Sequence, residues 1–351
     1  MRSGWLGMGP KVAEFEKAFA TYLDIPPAHA VAVNTGTSAL HLAVKLLNLE
    51  RGAKIITTPN SFAASAQILL WEGLTPIFAD IDPKTGNIDP IAVQAKLSDR
   101  TAAILIVHFA GQACDLERLN SIANRRGIPI IEDCAHACGA RYAEGRIGSH
   151  GNFAAFSFGP TKNLTTGDGG MLIVRNPQEA ERARSLRYLG LTQDIHRRVA
   201  ASGATGRHWE YDIPAPGLRY HMNDITAAIG LEQLKVLDKA NSRRARVANR
   251  YRTALDNIPG LRLLQTNPAA ESSHYLFCIL AENRDVLAKS LQSRGITVSV
   301  HYKPLTTYPI FPSADLPQAH AFYSRELSLP MYPDLTDEQI DHVIVSIRKG
   351  W

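Results

Sequence analysis

One lysine, two adjacent carboxylates and a short run of small hydroxyl residues hold most of the chemistry in this sequence of 351 residues. Lys162 lies in SFGPTKNLTTGDGG, a polar stretch between the apolar runs FAAFSF and GMLIV. Each run is short, continuous and closed by Gly or polar residues, the pattern of a buried strand. The loop between them therefore presents its lysine near the edge of a sheet core. An amine partly desolvated in such a place has a lowered pKa, which suits Schiff-base chemistry. Composition alone favours a solvated loop lysine, because Lys is almost never fully buried.

The carboxylates are Glu132 and Asp133, at the end of the apolar run IPII. Ligands of α/β folds bind outside the carboxyl ends of parallel strands, and an acid there can pair with a protonated ring nitrogen. An acid at a strand end is also a common helix cap. The hydroxyl run is Thr35, Thr37 and Ser38, interrupted by Gly36, between AVAV and the helical pattern ALHLAVKLLNL. A helix start offers unpaired N–H groups and the positive end of the dipole, a setting for phosphate. Ordinary N-capping accounts for the same residues. Cys134, His136 and Cys138 cluster too, but no second ligand pair accompanies them, and no metal site is expected.

The elements that must position these groups alternate. Strand patterns at AVAV, KIITTP, TPIFADID, AAILIVHF and IPIIED are separated by helical patterns, which predicts an α/β fold with a mostly parallel sheet flanked by helices. Val12, Phe15, Phe19 and Leu23 recur at helical spacing in an entry helix over 11–23. Ser61 marks the opening of the helix after KIITTP, with Phe62 at the turn. Helices are expected over 115–126 and 177–189. Residues 190–212 lack periodicity, and a loop that long reads as a flap over a site or as disorder. A long helical pattern with room for one break follows GLRYHMND. Beyond Pro259 the grammar changes: LRLLQ, SHYLFCIL and ITVSVHY read as strands around a helix over 284–294. The last helix opens on a capping box of Thr336 and Gln339 and carries Ile340, Val343, Ile344 and Ile347 on one face. Two domains are expected, a large one over 1–235 and a smaller C-terminal α+β domain over 236–351.

Composition narrows the function classes. Hydrophobic content of 45% with 20% charged residues is that of a soluble globular protein. No apolar run approaches the ~20 residues of a membrane span, and the N-terminus lacks a signal-peptide core. The four cysteines form no CxxC pair, so no disulfide framework is expected and the compartment is read as reducing and cytoplasmic. The net charge of +5 is scattered; its densest patch, Arg243, Arg244, Arg246, Arg250 and Arg252, reads as a solvated helix face. Only Tyr251 offers an aromatic platform there, so a small anionic substrate is expected and nucleic acid is not.

SFGPTKNLTTGDGG, TGTSAL, EDCAHA and the segment from GLRYHMND resemble the DegT/DnrJ/StrS family of sugar aminotransferases that use pyridoxal 5'-phosphate, and the resemblance covers nearly the whole chain. It implies the type I aspartate aminotransferase fold, with Lys162 carrying the cofactor as a Schiff base and moving the proton during transfer. By the same resemblance Thr37, Ser38 and Ser157 hold the cofactor phosphate and Asp133 takes the ring nitrogen. Ala135 packs on the ring, His136 bonds its hydroxyl, and Phe62 lies against it. Arg219 and His221 stand where the family usually has Asn and Arg, in a segment that reaches the partner's active site, so a homodimer with shared sites is implied. Thr306 stands where the family often carries a histidine. The family has a helix-bearing lead before the SGW segment, where this sequence almost begins; the start is either shortened or dispensed with. The implied reaction passes an amino group from glutamate to a keto sugar on a nucleoside diphosphate, for surface polysaccharide or secondary-metabolite sugars, with pyridoxamine 5'-phosphate formed during turnover. A cyclitol ketone as acceptor, or a non-catalytic cofactor sensor, are the alternatives.

Overall fold

Short apolar runs alternating with amphipathic stretches give, in the computed structural model, a mixed α/β fold with a large, mostly parallel sheet flanked by helices. The structure describes residues 4–193 and 209–351. Most of the stretch read as a flap, 190–212, lies outside the described residues. The strands are β1 Ala30–Val33, β2 Lys54–Thr57, β3 Thr75–Phe78, β4 Thr101–Val107, β5 Ile130–Asp133, β6 Arg141–Tyr142, β7 Gly145–Arg146, β8 Phe153–Ser157, β9 Gly170–Val174, β10 Leu261–Leu263, β11 Ala270–Glu271, β12 Phe277–Ala281 and β13 Glu326–Leu329. The helices are α1 Pro10–Tyr22, α2 Gly36–Leu46, α3 Ala64–Trp71, α4 Pro90–Lys96, α5 Leu116–Arg126, α6 Pro177–Leu186, α7 Asp224–Leu255, α8 Arg284–Ser293, α9 Pro317–Arg325 and α10 Asp337–Arg348.

Two compact units interleave along the chain: one holds residues 1–50, 131–135 and 148–237, the other 51–130, 136–147 and 238–351. Each unit therefore draws on several separate lengths of the sequence.

In the first unit the strand order is β1-β9-β8-β5. β9 is antiparallel to both β1 and β8, and β8 is parallel to β5. β1, β8 and β5 therefore point the same way, and their carboxyl ends share one edge. Phe156 and Phe158 flank Ser157 at alternating positions and meet α1, with Phe156–Phe19, Phe158–Phe19 and Phe158–Phe15 ring centroids 5.0, 5.4 and 5.5 Å apart. Each fully buried ring stabilises by roughly 2–3 kcal/mol, and the alternation turns Ser157 to the opposite face. α1 has no cap of its own; Asp224, at the start of α7, accepts the N–H groups of Gly9, Lys11 and Val12 at 2.9, 3.1 and 3.0 Å. A side chain at position 9 would meet that carboxylate, so the cap requires glycine there.

The outer edge of β1 is closed by side chains. Arg184 donates to the carbonyls of Ala28 and Ala30 at 2.9 and 2.8 Å. Arg187 donates to the Ala32 carbonyl at 2.6 Å, and Glu16 accepts the Ala32 N–H at 2.8 Å. Glu16 and Arg187 are themselves paired at 2.5 Å and buried. An exposed strand edge is a template for foreign pairing, and here charged groups occupy it, each neutralised by the other.

In the second unit β4-β2-β3 are parallel neighbours, β10-β12-β13 form an antiparallel sheet, and β11-β6-β7 a small third one. α10 opens on the expected capping box and buries Ile340, Val343, Ile344 and Ile347. The core here joins these to Tyr251, Phe277 and Leu327. The arginine patch is not simply a solvated face. Arg244 is buried, Arg243 and Arg250 pair with Asp337 at 3.1 and 2.9 Å, and Arg250 also pairs with Asp341. α7 is one unbroken helix. ITVSVHY is not a strand: only Ser299 bridges β13, because the His301 N–H donates to the Glu326 carboxylate instead of to a neighbouring strand.

Glu326 is buried, with one oxygen on the His301 N–H at 2.6 Å and the other on the Ser328 hydroxyl at 2.6 Å. Burial pushes its carboxyl from 4.5 to about 7, against the opposing pull of those hydrogen bonds and of Arg284. The folded protein thus keeps a proton that the unfolded chain has released. Stability from this group is full below the ordinary carboxylate range and falls as pH rises toward 7, by roughly 3 kcal/mol in all. Glu326→Gln is expected to remove this slope from melting temperature measured between pH 4 and 8, whatever its effect on absolute stability. Arg187→Met strands the Glu16 carboxylate and the Ala32 carbonyl, and is expected to cost about 3 kcal/mol or more in chemical denaturation.

Candidate active site

The turn from β1 into α2 is fixed by its own side chains. Thr35 is the cap, its Oγ1 accepting the Ser38 N–H at 3.0 Å, and Ser38 Oγ donates to Asn34 Oδ1 at 2.6 Å. The first N–H groups of a helix have no acceptor within it, and they converge here with the positive end of the α2 dipole. The turn is also held from outside. Asn34 donates its N–H to the Tyr220 carbonyl at 2.7 Å, and the Tyr220 hydroxyl meets His41 Nδ1 on α2 at 3.0 Å.

Two missing side chains let this turn reach the sheet. A Cβ on Gly36 would stand 2.6 Å from Ser157 Cβ, and one on Gly170 would stand 2.5 Å from the Thr35 carbonyl oxygen. The α2 start is therefore packed directly on the β8–β9 pair, where Ser157 faces Gly170 in register. From that pair the chain leaves as the lysine loop. Phe158 closes it by donating to Gly169 at 2.8 Å and accepting from Thr166 at 2.9 Å, and the Lys162 N–H donates to Gly159 at 3.1 Å. Lys162 itself is partly buried.

Asp133 ends β5, in register with Ala155 of the parallel strand β8. The residue is 5% exposed, and its Oδ1 accepts the Ala135 N–H at 3.0 Å. The first unit thus gathers Thr37, Ser38, Ser157, Lys162, Asp133 and Ala135 around the shared carboxyl edge of β1, β8 and β5. Arg219 and His221 flank the same turn: His221 bridges Val33, Arg219 bridges Tyr188, and the Arg219 carbonyl accepts from the Asn34 amide at 3.4 Å. Burial, then Arg219 and Arg187, push the His221 imidazole below its usual value, so it is neutral at neutral pH.

Phe62 and His136 belong to the second unit, where they are neighbours of one tyrosine. Phe62 is 65% exposed, and its ring lies 6.4 Å from that of Tyr302. The Tyr302 hydroxyl meets His136 Nε2 at 3.1 Å, and the Tyr275 ring stacks on His136 at 4.2 Å. Ser273 holds the His136 carbonyl at 2.7 Å, and Asn60 Oδ1 accepts the Tyr302 N–H at 3.2 Å.

Asn34, Tyr220, Tyr275 and Tyr302 escaped the sequence reading. Asn34 directly precedes the TGTS turn and Tyr302 sits in HYKPLTT, so proximity to a motif was the available signal. Tyr220 and Tyr275 carry none, since their partners are far away in sequence.

The arrangement fits pyridoxal 5'-phosphate. A helix start brought against a serine by the absence of a side chain at Gly36 suits a phosphate. A buried carboxylate at a strand end suits a cationic ring nitrogen, and a lysine on the loop that leaves the same sheet edge suits a Schiff base.

Comparison with known proteins agrees. The sequence model of the DegT/DnrJ/EryC1/StrS aminotransferase family matches residues 1–348. The spore coat polysaccharide biosynthesis protein SpsC of Bacillus subtilis (strain 168) is 38% identical over 99% of this chain and 91% of its own length. The aminotransferase TlmJ of Streptoalloteichus hindustanus is 33% identical and superposes with a TM-score of 0.93, over 99% of this chain and 92% of that one. Helicobacter pylori PseC, an aminotransferase involved in pseudoaminic acid biosynthesis, is 30% identical with a TM-score of 0.91, over 99% and 93%.

Gly36→Ala tests the cradle. Alanine is the better helix former, so helix propensity does not oppose it, yet its methyl group collides with Ser157. Affinity for inorganic phosphate, read by titration calorimetry, is expected to fall about tenfold, or about 1.4 kcal/mol.

Proposed function

The chain belongs to the DegT/DnrJ/EryC1/StrS aminotransferase family, and from that premise we propose that it moves an amino group from glutamate to a keto sugar carried on a nucleoside diphosphate. Family membership makes it a pyridoxal phosphate-dependent aminotransferase; donor and acceptor are our reading. The observation that supports it best is the meeting of the α2 start, Ser157, Asp133 and the Lys162 loop at one sheet edge.

In this reading Thr37, Ser38 and Ser157 hold the cofactor phosphate with the first N–H groups of α2. Asp133 pairs with the ring nitrogen, and Ala135 packs on the ring. Phe62 and His136 are assigned to the ring face and ring hydroxyl by resemblance. When bound, pyridoxal phosphate supplies an electron sink that makes the substrate's C–H bond acidic. Lys162 would hold the cofactor as a Schiff base, and its Nζ, once free, would accept the proton from that carbon and then give it up, as a general base and then an acid. Asp133, kept from bulk water, would set its carboxylate against the ring nitrogen. Arg219 and His221 supply contacts at the substrate or the partner subunit. A homodimer is supported by Ile225, Ile229 and Val236, which recur along α7 and are all more than two-fifths exposed.

Purified protein with pyridoxal phosphate is expected to show the visible absorbance band of a lysine-bound cofactor. Glutamate should bleach the band, and Lys162→Ala should lack it. A panel of keto sugar nucleotides and cyclitol ketones then names the acceptor. A band indifferent to Lys162→Ala, or to glutamate, would overturn the reading.

A further inference from the structure

The second unit holds a cleft of about 550 Å³ to which the aminotransferase reading assigns nothing. It lies between the 238–252 portion of α7, the β6–β7 hairpin and residues 266–274, and its volume is that of a small-molecule site. Three arginines reach it, and their pairing differs. Arg146 is neutralised by Asp238 at 3.1 Å. Arg141 donates to the Glu144 carbonyl at 3.0 Å and Arg252 to the Leu264 carbonyl at 3.0 Å. Among the described residues neither Arg141 nor Arg252 has a carboxylate partner; even Glu271, which faces Arg141 in register, makes no ion pair with it.

Arg252 is half-buried, and burial lowers its pKa from the ordinary value. Its guanidinium also lies 6.0 Å from the centroid of the Phe277 ring, so its partners are a carbonyl and a ring face and neither is an anion. Asp238 and Glu271 also line the cleft, and three arginines against two carboxylates leave it one positive charge; the remaining polar groups add hydrogen-bonding capacity without charge. Gln112 is anchored on the Gln265 carbonyl at 3.1 Å, Asn249 is exposed to the cleft, and Asn267 lies on its rim. His274 is pushed down to about 4 by burial and by Arg252, so its neutral ring both donates and accepts.

We propose that this cleft is a second ligand site, binding a small anionic, hydroxyl-rich molecule of the sugar-phosphate class. Arg141 and Arg252 take the anion, and the amides and His274 take the hydroxyls. The site is independent of Lys162 and of the α2 turn.

The test is thermal melting of the whole protein at constant ionic strength with three probes: glucose 1-phosphate, inorganic phosphate and glucose. Glucose 1-phosphate is expected to raise the melting temperature saturably and at lower concentration than phosphate, and glucose to do nothing. Arg141→Gln should weaken the glucose 1-phosphate effect at least tenfold. Asn249→Trp, a filling substitution at an exposed helix position, should abolish it while the unliganded variant melts like the parent. Ser38→Ala and Lys162→Ala should leave it unchanged. Loss in Ser38→Ala with retention in Asn249→Trp would move the anion to the α2 turn and overturn the proposal. An absent shift, or one equal for phosphate and glucose 1-phosphate, would overturn it as well. So would a shift of the Asn249→Trp variant from dimer to monomer, which would make the cleft a subunit contact.

Discussion

The outer edge of β1 is the constraint on which the first unit depends. A strand with one hydrogen-bonded neighbour leaves a row of donors and acceptors that burial cannot tolerate unpaired. Here the row is met by Arg184, Arg187 and Glu16, and further along by the backbone at Tyr220. Only because that edge is closed can β1 run buried along its whole length and deliver the turn at Asn34–Ser38 in a fixed place. The turn proposed to hold the cofactor phosphate is thus built on a buried charge pair. The contrast with Glu326 is instructive. Both carboxylates are buried, but Glu16 is paired with a guanidinium, whereas the hydrogen bonds to Glu326 come from neutral donors and burial pushes it toward protonation despite the pull of Arg284.

Much of this was legible in the sequence because it is local. Thr35 caps a helix three residues on, and the lysine loop joins two adjacent strands whose apolar runs announce themselves. The capping box of α10 is readable for the same reason. What was not legible joins distant residues. Glu16 and Arg187 are 171 positions apart, and His136 and Tyr302 are 166 apart; no pattern of period two or 3.6 encodes either pair. The strand expected at ITVSVHY failed because a side-chain acceptor outcompeted the ladder. β-propensity describes fit to a pleated surface, not the presence of a neighbour. The arginine patch was half-misread, since the sequence shows charge but not the acids of a later helix.

The interleaving of the two units has a similar origin. Each carboxyl-edge residue arrives on a different strand, and the strands arrive from remote parts of the chain. Asp133 and Ala135 enter the first unit on a five-residue visit, 131–135. The visit is short, yet it carries the motif around Glu132 and Asp133 that the sequence makes plain.

The lysine loop carries one more consequence. Its backbone is tied at both ends and at Lys162 itself, through Gly159, Thr166 and Gly169, so the anchor point of the amine is fixed. The Schiff base proposed at Lys162 would therefore hang from a backbone position set by the sheet on either side, so that the strands and not the loop's own sequence decide where it starts.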